Sequence, residues 1–109
     1  MVNVIPLQSF LRDFKYLKKA YHSIKDDVDD LVLQLKKNPI QGIPPGKDCY
    51  KIRMAIASKG RGKSGGARVI TCVKIVRQTV HSPAMFDKSE MENLSDEELN
   101  NRLNQIVLP

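Results

Sequence analysis

No apolar run in this chain approaches the ~20 residues that a helix needs to cross a bilayer. The opening residues, MVNVIPLQSF, lack both the basic start and the extended apolar segment of a secretory signal. A cytoplasmic protein without a membrane partner is therefore expected. Cysteine is scarce: Cys49 and Cys72 stand outside any CxxC or Cys/His spacing, which gives no reason to expect a metal or other cofactor. They read as free thiols of a reducing cytosol, with a disulfide as the less favoured alternative. There are no internal repeats and no domain boundary, and 109 residues leave room for one core, so residues 1–109 are read as a single domain.

Positive charge is plentiful but unevenly placed. The formal net charge is +6. Residues 1–46 contribute +2, residues 47–77 contribute +8 with nine Lys/Arg against Asp48 alone, and residues 78–109 contribute −4. A solvated basic face accounts for this blandly. A polyanionic partner accounts for it more sharply, because concentrated cations bind phosphates through counterion release. The acidic C-terminal stretch, with Glu90, Glu92, Asp96, Glu97 and Glu98, is expected to lie away from such a partner.

Apolar residues at Phe10, Phe14, Leu17, Tyr21, Ile24, Val28, Leu31 and Leu35 alternate four and three apart, a helical stripe. One unbroken helix over 10–37 would be about 42 Å long, too long for a domain with a radius of gyration of ~13 Å. A break near AYHSIKDD is more economical, with Ser23 capping a second helix and Asp26 completing an S-x-x-D box. The alternative is a coiled-coil dimer. Pro39, Gly42, Pro44, Pro45 and Gly46 argue against regular structure in NPIQGIPPGKD. CYKIRMAIA then alternates as a strand, with Lys51 and Arg53 on one face and Tyr50, Ile52 and Met54 on the other. ARVITCVKIVR reads as a long strand, VHSPAMFD as a short one confined by Pro83 to an edge or a bulge, and VNVIPL as a first strand. Ser95 and Glu98 form a capping box that opens a last short helix.

Between the two central strands, GRGKSG satisfies G-x-G-x-x-G and falls one residue short of a phosphate-binding P-loop, with Ala57 in place of the first glycine. Both nucleotide motifs require a helix after the loop. Here Arg-Val-Ile-Thr-Cys-Val follows, a strand pattern, and there is no plausible Walker B aspartate. The loop is instead the tip of a hairpin carrying Lys59, Arg61 and Lys63, which suit the backbone of RNA or DNA. Beside it, Lys51 and Arg53 share a strand face, and pairing of the returning strand can bring Arg68 onto it. Three clustered cations repel one another unless an anion joins them. His22 falls in the helical turn and His81 beside Pro83, and neither offers clear chemistry.

DCYKIRMAI with GARVI, and the longer pattern KGRGKSGGARVITxV, FDKSE and NLSDEEL, resemble the RelE/HigB superfamily of bacterial toxin–antitoxin toxins, in a HigB-like form, over nearly the whole chain. The resemblance implies an α+β fold in the order βααβββα, a mostly antiparallel sheet packed on a helical hairpin. It implies a metal-independent endoribonuclease that cuts mRNA on the ribosome. The implied partners are the ribosome, mRNA, a cognate antitoxin protein, and operator DNA only through the toxin–antitoxin complex. Lys51, Arg53 and Arg68 match the family's basic residues by position. In the family's scheme, one cation near the 2′-hydroxyl helps its deprotonation and the others stabilise charge on the phosphorane oxygens. The family's late arginine and tyrosine are absent: Ser89 and Ser95 fall where they are expected, and Lys88 is the nearest cation. Arg53 stays protonated and is a poor base, which leaves the general acid and base unassigned. Two other functions remain on the sequence alone: a gyrase-targeting relative on the same fold, and a non-catalytic basic module that binds RNA or DNA.

Overall fold

A computed structural model describes residues 2–46, 49–74 and 79–104. Five strands form one sheet in the order β1-β5-β4-β3-β2: β1 (Asn3–Pro6), β2 (Ile43–Gly46), β3 (Cys49–Met54), β4 (Ala67–Lys74) and β5 (Thr79–Asp87). Among the described strands, the β1–β5 pair alone is parallel. Helices α1 (Gln8–Ala20) and α2 (Ile24–Lys37) pack on one face, and α3 (Asp96–Leu103) on the other. The expected βααβββα order is thus present, with β2 as an additional edge strand.

The helical stripe is the core. Phe10, Leu17, Ile24, Leu31 and Leu35 are buried against Ile52, Met54, Ile56, Val69 and Met85, with Phe14, Tyr21 and Val28 partly buried beside them. The helix breaks where expected, at the extended Tyr21 (φ −132°, ψ 111°). The expected capping box does not form. Ser23 has helical dihedrals (φ −84°, ψ −5°), which turn its hydroxyl away from the first-turn N–H groups. That hydroxyl bonds Asp27 Oδ2 at 2.7 Å and Ser58 at 2.9 Å, pinning the helical turn to the glycine loop. Ser95 does cap α3, accepting from the Glu98 N–H at 3.1 Å.

Two further expectations are corrected, and the one for Pro83 is met by its second alternative. The Pro44–Pro45 segment is β2, paired irregularly to β3 at the sheet's edge, where a missing N–H is tolerated. β5 is an inner strand between β1 and β4, and Pro83 occupies its bulge, where the β4 register shifts between Ile70 and Cys72. β1 leaves the sheet at the same point, so the Met85 N–H turns to Asp13 Oδ2 at 3.1 Å. Finally, Cys49 and Cys72 are not free thiols. The β3–β4 register sets them opposite each other, with Cα atoms 4.0 Å apart, and they form a disulfide. Closing 23 residues of chain in this way stabilises the fold by about 3 kcal/mol on chain-entropy grounds. The end of the ARVITCVKIVR pattern, residues 75–77, lies outside the described residues.

Candidate nucleic-acid cleft

Strand alternation and register build the cationic site. Cys49, Lys51 and Arg53 project on the α3 side of β3, and Arg68, Ile70 and Cys72 project on the same side of β4. Arg53 and Arg68 are direct cross-strand partners. Like charges opposite each other on a sheet are destabilising. This face is covered over Cys49, Ile70, Cys72, Ala84 and Phe86 by Leu99 and Leu103 of α3 and by Leu94 just before it. The basic end is left facing a cleft of about 650 Å³. Lys51, Arg53, Lys63, Arg68 and Lys88 all line it. Five of the seven cations expected at the site therefore meet in one place.

Arg68 is the unusual member, only 3% exposed. Its Nη1 donates to the carbonyls of Lys63 (3.0 Å) and Ala67 (3.1 Å), and its Nη2 to that of Ser64 (3.3 Å). It thus holds the end of the glycine loop while lining the cleft. No carboxylate among the described residues forms an ion pair with it. Burial, and then the charge of Arg53 opposite, lowers its pKa from the ordinary guanidinium value. Gly66 closes the loop because a Cβ there would collide with the Met54 carbonyl, and Gly60 takes a left-handed φ of 71° after the 3-10 turn of Ala57–Lys59. Strand β4 follows with no helix, which agrees with the rejection of the nucleotide motifs.

Lys59 and Arg61 do not line the cleft. Lys59 is instead a structural cation: its Nζ donates to Asp87 Oδ1 at 2.7 Å, with side chains 12% and 1% exposed. The Tyr21 hydroxyl donates to the other Asp87 oxygen at 2.6 Å, and Ser89 donates its N–H (2.9 Å) and hydroxyl (2.8 Å) to Oδ1. Burial raises the Asp87 pKa, but the bonds from Lys59, Tyr21 and Ser89 outweigh it and hold the carboxyl well below the usual range. Ser89 is thus bound to Asp87, and Ser95 is the α3 cap. His81 is not in the cleft, and His22 is exposed in the helical turn.

Several cleft residues carry no signal in the sequence. Asp27 and Asp30 of α2 form part of its wall, and Glu92 and Asn93 come from the segment before α3. Of the acidic C-terminal residues, Glu92 lines this cleft beside the basic side chains. Lys51 Nζ donates to Asn93 Oδ1 across 42 residues of sequence, a pairing that only the tertiary fold creates.

The fold has solved counterparts. A chain of the intact E. coli RelBE toxin–antitoxin complex superposes with a TM-score of 0.61 at 14% identity, over 80% of this chain and 96% of that one. The isolated E. coli RelE toxin gives 0.61 at 13% identity, over 97% and 100%. A mutant of E. coli RelE in the free state gives 0.60 at 16% identity, over 97% and 98%. No family model and no curated protein sequence matches. At these identities the likeness shows a shared fold: this chain has the RelE-like architecture.

Proposed function

We propose that this RelE-like chain is the toxin of a toxin–antitoxin pair and an endoribonuclease that cuts mRNA on the ribosome, stopping translation. The observation that carries the reading is the convergence of Lys51, Arg53 and Arg68 in one cleft, without a carboxylate ion pair among the described residues. A sheet that sets Arg53 against Arg68 gains stability when an anion lies between them, and a phosphodiester is such an anion. As the 2′-oxygen attacks phosphorus, negative charge grows on the phosphoryl oxygens, and fixed cations stabilise that state more than the ground state. Arg53 and Arg68 hold those oxygens. Lys51 faces the 2′-hydroxyl, and Lys88 stands near the leaving 5′-oxygen in place of the late arginine. The partners that follow are the ribosome, mRNA, an antitoxin segment that folds on binding, and operator DNA through the complex only. Among the described residues no helix is long and apolar enough to cross a membrane.

The test is induction without any neighbouring operon product, followed by mapping of mRNA ends. Growth arrest with cuts in translated mRNA, lost in Lys51→Ala/Arg53→Ala, is the expected result. Arrest with gyrase–DNA adducts and intact mRNA would instead make the protein a gyrase poison. RNA binding without arrest would make it a binding module.

The loop gives a second prediction. Arg61→Ala/Lys63→Ala should lower the slope of log affinity against log salt by about 1.4, at roughly 0.7 per phosphate contact on single strands. Its melting point should stay near wild type, since exposed substitutions cost within about 0.5 kcal/mol each. A slope equal to wild type removes the loop from the RNA surface.

A further inference from the structure

We infer that Asn93 is a positioning residue for Lys51, aiming its ammonium into the cleft without neutralising it; this rests on the ribonuclease reading above. Lys51 and Arg53 lie two apart on one strand face, with Arg68 opposite Arg53. Mutual repulsion and a flexible four-carbon stem would carry a free lysine toward solvent. The Lys51 Nζ is instead held by Asn93 Oδ1. Asn93 is itself fixed from both sides. Before it, the Glu90 and Met91 N–H groups each bond the Asp87 carbonyl at 3.1 Å. After it, Leu94 packs on the second core cluster and Ser95 caps α3.

The choice of an amide matters. An amide oxygen accepts one hydrogen bond and leaves the ammonium's full charge, and its two other protons, available to an incoming phosphate. A carboxylate at the same place would make an ion pair and compete directly with the phosphate. The carboxylate at the next position, Glu92, also lines the cleft, and it is Asn93 that takes the contact with Lys51.

The experiment compares wild type, Lys51→Ala, Asn93→Ala, Asn93→Asp and Lys51→Ala/Asn93→Ala in single-turnover cleavage of mRNA on programmed ribosomes. Binding is measured in parallel with an mRNA carrying a 2′-O-methyl group at the cut site. Asn93→Ala should slow cleavage about tenfold with binding within about twofold of wild type, since a misaimed group costs rate more than affinity. Asn93→Asp should slow it more, about a hundredfold, and weaken binding as well. The double variant should be no slower than Lys51→Ala, because Asn93 acts only through Lys51. Asn93 is exposed, so thermal melts should match wild type. Wild-type cleavage by Asn93→Ala alongside an inactive Lys51→Ala overturns the inference and leaves the ribonuclease reading intact. Additive losses in the double variant, or Asn93→Asp cleaving faster than Asn93→Ala, also overturn it. No cleavage by wild type, or full cleavage by Lys51→Ala, overturns the reading itself and the inference with it.

Discussion

Replacing Arg68 with alanine is expected to lower mRNA cleavage by about 10²–10³, the loss seen when one oxyanion-type donor is removed. Its planar fork can hold two phosphoryl oxygens as charge builds on them. The structure adds a second consequence. Arg68 also donates to the carbonyls of Lys63, Ser64 and Ala67, so alanine strips the loop's end of its donors. Protease cutting between Lys59 and Gly66 should therefore rise in Arg68→Ala. Arg68→Lys keeps the charge but cannot bridge these carbonyls and a phosphate at once, and should recover only part of the activity. Growth arrest without antitoxin, cleavage rates and thermal melts of the three proteins decide the matter. An Arg68→Ala protein that folds and cleaves at the wild-type rate would falsify the site.

The largest stability effect is expected at the Asp87 hub. Lys59→Met leaves a carboxylate that is 1% exposed without its cation, and breaking such a buried pair costs about 3–5 kcal/mol. Asp87→Asn should cost about as much, by stranding Lys59 and weakening the bonds from Tyr21 and Ser89. The pH dependence follows from the depressed folded pKa of Asp87. Its contribution is fully present above the unfolded value of ~3.9 and is lost as pH falls below that value toward the folded one. Denaturation midpoints of wild type should thus fall steeply below about pH 4, and those of Asp87→Asn less so. The Tyr21 pKa is raised, first by its bond to Asp87 and then by burial. That contribution is present below the unfolded value of ~10 and fades as pH rises through it. Equal acid limbs in wild type and Asp87→Asn would remove Asp87 from the account of acid unfolding.

Much of this architecture was legible because it rests on periodicity. The spacing of Phe10 through Leu35 fixes a buried face whatever the neighbours are, and the alternation of β3 fixes Lys51 and Arg53 to one side. What escaped the sequence depends on register and tertiary partners. Cys49 pairs with Cys72, and Arg53 with Arg68, only because the loop between the strands closes with one particular register. Lys59 reads as one more loop cation, since nothing local reveals that a buried aspartate 28 residues later will claim it. Ser23 looks like a cap until its backbone turns helical. Asn93 carries no local sign of its contact with Lys51. Pro83 showed the reverse pattern: the bulge was legible, and the strand's place inside the sheet was not.

The parallel pairing of β1 with β5 also sets an order of assembly. Asn3–Pro6 bond with Thr79–Ser82, so β1 must wait for a partner strand made long after it. The β3–β4 hairpin closes over a short loop and can form well before that, since local pairings incur the least closure entropy. The basic floor of the cleft can therefore form before the wall bearing Lys88 and Asn93 has been made. A chain that has not yet reached Lys88 carries the basic strands without the groups that would aim them, so the cleavage proposed above would require the later segment as well.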